Sequence, residues 1–337
     1  MPHRRSSLTA ALLPIALAAA AGIGACGGTT AKSTRTVART PPHRAGGAPV
    51  SDLRLRASAS GQLPAPVRNP ATTALGGRAI LMGGLDQAIA STANVVIAEP
   101  RGSRLLTPLP FPVHDAAAAS LGGRAYLLGG GEPSHDEIIA VGATGRPTVA
   151  GRLPAPASDV AAASIGHDVY VVGGYTGTAP LNTIVAWSGS GVAKVVATLP
   201  HAIRYAAVAA AGGRLIIAGG TVGDTASAAI YSFDPATRRV AQLGLLPRPI
   251  THAGAAELGG RVYIVGGRGS TQGTQTAEVL ALNPATGHVT PAGRLPVAES
   301  DVGTATVPSG IIVAGGRELS GAVSDRLYLL SPLATAR

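Results

Sequence analysis

The stretch Leu153–Gly174, LPAPASDVAAASIGHDVYVVGG, determines the fold because its framework recurs six times along the chain. Each copy begins with a Leu-Pro pair, and a Gly-Gly pair begins twenty positions after the Leu. Successive Gly-Gly pairs are separated by 46, 44, 46, 47 and 49 residues. A constant block joined by spacers of variable length is typical of a repeat fold with a rigid core and variable loops.

Each block predicts a β-hairpin. In the quoted copy, small apolar residues at 159–165 and a second apolar run at 169–172 flank a short break. Four other copies place Gly-Gly-Arg at this break, as in Gly76-Gly77-Arg78, and paired glycines allow the positive φ angles of a two-residue turn. A third apolar run, a turn and a fourth run follow each Gly-Gly pair. The repeat therefore predicts four short strands.

Six such sheets bury their faces when they are arranged radially, which favours an all-β, six-bladed β-propeller over residues 53–332. The first strand of each unit is rich in Ala, as expected where strands crowd around an axis. The last unit lacks a fourth strand, whereas Leu53–Ala59 is a strand with no unit before it. We expect this N-terminal strand to complete the last blade and close the ring, leaving 333–337 as a C-terminal tail.

The pattern Leu-Pro-x-Pro, apolar run, turn, apolar run, Gly-Gly resembles the kelch repeat. Tyr126, Tyr170 and Tyr263 occupy the aromatic position three residues before Gly-Gly, and Asp234-Pro235-Ala236-Thr237 is a kelch-like turn. The resemblance implies a kelch-like propeller. It transfers no ligand site, because most aromatic residues after Gly-Gly are missing and the Arg often found four residues after the Leu is replaced. Kelch-like oxidases with a cross-linked Cys are excluded, since the propeller has no Cys.

Residues 1–26 have the features of an export signal: positive charge at the start, an apolar segment and Cys26 after small residues. Cys26 is the only Cys of the chain, and its surroundings resemble a bacterial lipobox. We expect lipidation at Cys26 and a location on the outer face of a bacterial membrane; the alternative is a plain signal peptide with an incidental Cys. Residues 27–52 read as a flexible basic tether.

The net charge of +10 does not indicate a nucleic-acid partner. Eight of the 27 Lys and Arg residues precede residue 57, so the propeller itself carries only about +3. Few aromatic residues and no basic stripe accompany this charge, which argues against nucleic-acid binding. The basic tether could bind anionic lipid headgroups or wall polymers next to the anchor. The alternative is that it is a linker without a binding partner.

Polar residues occur five and six positions after each Leu, where the innermost strand begins and the channel mouth should lie. They predict a candidate ligand site at that mouth. The alternatives are solvated or turn-capping side chains and, with less support from spacing, a metal. The candidate residues are Asn69, His114, Asp115, Asp159, Arg204, Tyr205, His252 and Asp301.

The loops after the Gly-Gly pairs differ from unit to unit, and variable loops on a rigid scaffold commonly carry recognition. The alternative for most of these residues is that they are ordinary solvent-exposed loop residues without a binding role. The candidate binding residues are Asp86, Glu132, Asp136, Tyr175, Arg268 and Arg317.

No catalytic motif, cofactor site or metal-ligand spacing is recognisable in the chain. The sequence favours a monomeric propeller that binds a protein partner or an envelope glycan. Two other functions stay open: an enzyme acting on a sugar or another small polar metabolite at the channel mouth, as in kelch-like sugar epimerases, and a structural or assembly lipoprotein.

Overall fold

A computed structural model describes residues 54–333. The signal segment, Cys26, the tether at 27–52 and nearly all of the C-terminal tail lie outside the described residues. Within residues 54–333 the regular structure consists of β-strands, and no helix is long and apolar enough to cross a membrane.

The six repeats form six blades, each with a core of four antiparallel strands, which confirms the six-bladed propeller. The first three blades are built from β2 (Ala71–Leu75), β3 (Arg78–Met82), β4 (Val95–Glu99) and β5 (Gly102–Leu105); β6 (Ala117–Leu121), β7 (Arg124–Leu128), β8 (Glu137–Val141) and β9 (Thr148–Arg152); and β10 (Ala161–Ile165), β11 (Asp168–Val172), β12 (Thr183–Trp187) and β14 (Lys194–Thr198), with the short β13 (Gly191–Val192) pairing β9.

The last three blades follow the same order, with β1 (Leu55–Gln62) as the outer strand of blade 6, where it pairs antiparallel with β28. Their strands are β15 (Ala207–Ala211), β16 (Arg214–Ala218), β17 (Thr221–Val222), β18 (Thr225–Asp234) and β19 (Arg239–Ile250); β20 (Gly254–Leu258), β21 (Arg261–Val265), β22 (Glu278–Leu282) and β23 (Val289–Arg294); and β24 (Glu299–Ser300), β25 (Gly303–Val307), β26 (Gly310–Ala314), β27 (Arg317–Glu318) and β28 (Arg326–Pro332).

The core is divided among the contacts between neighbouring blades. Within the described residues there are six clusters of buried apolar side chains, one for each pair of adjacent blades. The cluster between blades 6 and 1 joins Leu81 and Ala98 to Ile312 and Leu327. Blade 1 therefore packs on blade 6 through the same kind of apolar contact that joins the other neighbours.

The Gly-Gly pairs connect each blade to the next. The N–H of the second Gly donates to a carbonyl of the following blade; Gly84 N, for example, lies 2.8 Å from Val113 O, and Gly316 N lies 2.9 Å from Val67 O. The first Gly has no space for a side chain, because a Cβ at Gly83 would lie 2.3 Å from Val113 O. Glycine is required here because the backbones of neighbouring blades approach so closely.

Candidate functional site

One residue of each blade stands at the channel mouth in a left-handed backbone conformation. These six residues have φ between 50 and 63° although none is a glycine, and we call them the mouth ring. Non-glycine residues in this region are uncommon, and Tyr205 and His252 adopt it as the Asp and Asn members do. The mouth ring consists of Asn69, Asp115, Asp159, Tyr205, His252 and Asp301.

Backbone hydrogen bonds join the mouth ring from blade to blade. The N–H of Asp159 donates to the carbonyl of Asp115 at 2.8 Å, and the N–H of Tyr205 donates to that of Asp159 at 3.0 Å. His252, Asp301 and Asn69 continue the series with distances of 3.3, 2.8 and 2.9 Å. A side chain bridges blades 1 and 2, since Asn69 Nδ2 donates to Asp115 Oδ1 at 2.6 Å.

Asp115 and Asp301 are buried carboxyl groups of the ring whose pKa values are raised. Burial, reinforced by the carboxylates of Asp159 and Asp301, raises the pKa of Asp115 to about 7. The hydroxyl of Tyr205, 3.3 Å from Asp115 Oδ2, and the amide of Asn69 offset only part of this effect. The third carboxylate of the ring, Asp159, accepts a hydrogen bond from Arg204 Nε at 2.5 Å.

The two aromatic members of the ring stack on each other. The rings of Tyr205 and His252 have centroids 3.8 Å apart and an interplanar angle of 23°. Burial, together with the guanidinium groups of Arg268 and Arg204, lowers the pKa of His252 well below its ordinary value. His252 is therefore neutral at pH 7, and its Nδ1 lies 3.0 Å from Thr251 Oγ1. Burial also raises the pKa of Tyr205, which keeps its hydroxyl protonated.

His114 lies beside the ring, and its Nδ1 is 2.8 Å from Ser91 Oγ of the first loop. Burial lowers the pKa of His114, although the carboxylates of Asp159 and Glu132 act in the opposite direction. Its Nε2 lies 3.8 Å from Asp115 Oδ2. A neutral imidazole beside Asp115 could exchange a proton with it only after a small approach of the two groups.

The space at the mouth is small. The cavity against the ring has a volume of about 110 Å³, which accommodates a few water molecules. A larger cavity of about 330 Å³ extends along the channel, but Ala side chains of the innermost strands line most of it. Ligand pockets generally occupy 300–1,000 Å³ and present several convergent polar groups. A metabolite that is larger than the mouth cavity would therefore extend beyond it, into the channel or between the loops.

Three loop residues adjoin the mouth ring. The guanidinium of Arg204 lies 4.6 Å from the centroid of the Tyr175 ring, and Arg268 Nη2 is 3.3 Å from His252 Nε2. Arg317 pairs with Ser300 in the short β24–β27 ladder, next to Asp301. In the sequence, the mouth residues and the loop residues are two separate sets of candidates. Because Tyr175, Arg268 and Arg317 lie beside the mouth ring, part of the loop surface is continuous with the mouth.

The other loop residues stabilise their own loops. Asp86 Oδ1 accepts from the N–H of Ala90 at 2.9 Å and holds a turn. Asp136 forms an ion pair with Arg152 at 2.5 Å. Glu132 acts on the mouth only through its charge, which raises the pKa of His114. Binding by these residues stays a prediction.

The structure draws attention to several residues that the sequence does not single out as site residues. Ile89 is 69% exposed and has a φ of 64°. Glu299 is fully buried where the other blades have Val, Ala or Ile. Arg248 and Arg294 line a groove beside Arg268, although they lie on different strands. Within residues 54–333, no group of three or more His, Cys, Asp and Glu side chains is arranged to hold a metal ion.

Comparison with known proteins agrees with this architecture. The family model of the kelch motif matches residues 156–188. Among solved structures, the chain is similar to one titled "Structure of YjhT", with a TM-score of 0.67 and 14% sequence identity over 80% of this chain and 98% of that chain. At this identity the similarity shows the fold alone. No curated protein matches the chain.

Proposed function

Since the chain is a kelch-repeat β-propeller, we propose that it is a binding module that captures a protein partner through the loops around the channel mouth. The observation that carries the proposal is Ile89, at the tip of the loop at 85–93. Its apolar side chain is 69% exposed, and its φ of 64° is unfavourable for a β-branched residue. Backbone strain of this kind clusters at functional sites, and here it holds an apolar side chain toward solvent.

The loop is built to hold Ile89 outward. The N–H of Ile89 donates to the carbonyl of Asp86 at 3.2 Å, and the N–H of Asp86 donates to that of Ala90 at 3.0 Å. Gln87 Oε1 accepts from the N–H of Val323 at 2.7 Å, which fixes the tip against the loop of blade 6. A preformed tip loses little conformational entropy on binding.

Ile89→Gly separates binding from folding. Glycine adopts a positive φ without strain, so we expect the free energy of unfolding to stay equal or to rise while capture of the partner is lost. Leu105→Ser is the matched control, because Leu105 is also 53% exposed but lies on β5. Affinity capture with quantitative mass spectrometry should find a protein retained by wild type and Leu105→Ser but absent with Ile89→Gly. Equal capture by all three chains would reject the proposal.

A second candidate function, catalysis on a sugar or similar polar metabolite, rests on Asp115. A carboxyl group with a pKa of about 7, beside the Tyr205 hydroxyl and near neutral His114, is suited to general acid–base work. The substrate would extend beyond the small mouth cavity. NMR of an aldose panel with wild type and Asp115→Asn tests this, and an absence of accelerated epimerisation or anomer exchange with wild type would remove it.

We also propose that the chain is exported and anchored to a membrane through Cys26. An envelope glycan is the alternative binding target. Their support is the sequence at positions 1–26 and the solitary Cys. Mass spectrometry of the mature N-terminus should find an acylated Cys26, and Cys26→Ser should release the protein from membranes. A mature chain that begins elsewhere and carries no lipid would contradict the anchor.

A further inference from the structure

A groove of about 520 Å³ lies on the loop side of blades 4, 5 and 6. Its walls come from the end of β19, the loop that follows β21, the end of β23 and the loop that follows β27. We call it the arginine groove, because Arg248, Arg268 and Arg294 all line it. No residue of the loop at 85–93 lines it, so the groove is a separate surface from the one proposed for a protein partner.

Positive charge in the arginine groove exceeds negative charge. Three guanidinium groups face a single lining carboxylate, Glu278. Glu278 is already engaged, since its Oε2 lies 2.5 Å from Arg248 Nη2. Arg294 is exposed and has no ion-pair partner within residues 54–333. An anion that enters the groove would therefore meet uncompensated charge.

Arg268 is held in place at the inner end of the groove. Its Nη1 donates to the carbonyl oxygens of Gly269 and Ser270 at 3.1 and 3.2 Å, which fixes the plane of the guanidinium. Burial lowers the pKa of Arg268, the Asp301 carboxylate acts in the opposite direction, and the nearby Arg317 and Arg68 lower the pKa further. A bound oxyanion would add a second negative partner to Asp301 for this buried guanidinium.

Gln275 adds a second requirement on the ligand. It lines the groove, is 7% exposed and donates through Nε2 to the carbonyl of Glu318 at 3.2 Å. Its Oε1 is buried and has no hydrogen-bond partner within the described residues. A buried acceptor without a donor is costly, and a hydroxyl group of a ligand would supply that donor.

We propose that the arginine groove binds a small molecule in which a carboxylate or phosphate group is accompanied by a hydroxyl group. Arg268 and Arg294 hold the oxyanion, Arg248 neutralises Glu278 in an ion pair, and Gln275 accepts from the hydroxyl. The apolar side chains of Ile250, Ala277 and Leu319 line the remaining wall.

Arg152 provides a matched control for Arg294. In blade 2 it pairs with Glu137 in the same β-register that joins Arg294 to Glu278 in blade 5. Arg152 is also an exposed guanidinium at the end of its strand, but it forms an ion pair with Asp136. Replacement of either Arg by Gln removes one exposed positive charge at equivalent positions, and only Arg294 lines the arginine groove.

Calorimetric titration of the full chain with inorganic phosphate, malate and succinate tests the proposal. We expect saturable binding of phosphate or malate, weakened at least tenfold by Arg294→Gln and by Arg268→Gln and unchanged by Arg152→Gln. Phosphate and malate distinguish the two oxyanion classes. Malate should bind more tightly than succinate, from which it differs by one hydroxyl, and Gln275→Leu should remove that preference.

The proposal is overturned if neither phosphate nor malate binds saturably up to about 10 mM. It is also overturned if Arg294→Gln and Arg152→Gln affect binding equally, because the effect would then reflect general surface charge. Melting temperatures equal to wild type for Arg294→Gln show that the loss is not unfolding.

Discussion

The backbone N–H of Asn69 donates to the carbonyl oxygen of Asp301 at 2.9 Å and joins blade 1 to blade 6 at the channel mouth. The same pair of blades is joined near the Gly-Gly pair by Gly316 and Val67 and in the core by apolar packing. Blades 1 and 6 are thus connected at three levels along the axis, as neighbours elsewhere in the ring are.

Loss of β1 should destabilise the whole domain. Leu55 is 3% exposed and packs in the core between blades 5 and 6 with Tyr328 and Leu330. We expect Leu55→Ala to lower the free energy of unfolding by about 2–5 kcal/mol, and deletion of residues 51–60 to lower it further. Chemical denaturation measures both. An unchanged melting temperature after the deletion would show that β1 is not needed for closure.

The first glycine of each Gly-Gly pair should not tolerate a side chain. Gly83→Ala would place a Cβ 2.3 Å from Val113 O at a φ of 64°, so we expect a loss of about 3 kcal/mol of stability. Gly102→Ala is the control, because its φ is ordinary and a Cβ there meets no atom within 4 Å. Equal unfolding free energies for the two variants would contradict this account of the blade contacts.

Deprotonation of Glu299 should lower the free energy of unfolding as the pH rises. Burial raises the pKa of Glu299 from 4.5 to about 7, and the Arg326 guanidinium at 3.4 Å offsets only part of the effect. The folded state binds this proton more tightly than the unfolded state, so the contribution to stability is complete below pH 4.5 and is lost as the pH rises through 7.

Glu299→Val restores the residue type of blades 1 and 2 at this position. We expect it to stabilise the protein by about 1–3 kcal/mol at pH 8 and by less at pH 4.5. Urea denaturation at the two pH values measures the difference. A variant less stable than wild type at pH 8 would mean that the Glu299–Arg326 pair outweighs the cost of burial.

One aspartate of the mouth ring should titrate near pH 7. The raised pKa of Asp115 means that stability from this group also declines between its ordinary pKa of 3.8 and about 7. Carbon-13 NMR of the carboxyl groups should show an Asp resonance with a midpoint near 7 that is absent in Asp115→Asn. Asp86→Asn, at a turn in the first loop, should leave that midpoint in place. If the titration midpoints of all Asp resonances lay near the ordinary pKa of 3.8, the raised pKa of Asp115 would be refuted.

The repeat architecture could be predicted from the sequence because Gly-Gly and Leu-Pro have local causes. Both glycines of the turn at Gly76-Gly77 have positive φ, at 57 and 75°, as predicted. Counting from each Leu leads to the same structural position in all six blades, which is where the mouth ring lies. Its left-handed conformation cannot be predicted in this way for all six members, since Asn, Asp and His favour it but Tyr205 has no such local preference.

The arginine groove could not be predicted because its residues are neighbours only in three dimensions. Arg248 and Arg294 are spaced like ordinary surface residues, and nothing local separates Arg294 from Arg152. Glu299 differs in residue type from its counterparts in the other repeats, but its burial depends on how blade 6 packs on blade 5. The arginine groove and the burial of Glu299 arise from contacts between repeats. The recurring sequence pattern predicts only the strands and turns within each repeat.

The pairing of β1 with β28 also affects how the chain reaches its folded state. Ser58 and its neighbour Leu329 are 271 positions apart, and contacts of such long range slow folding. During synthesis β1 emerges first and must wait, with unpaired backbone groups, for the last strand. Its sequence LRASASGQ has Leu55 as its single large apolar residue. Because β1 has only one large apolar residue, its unpaired edge is less prone to pair with other chains before β28 is available.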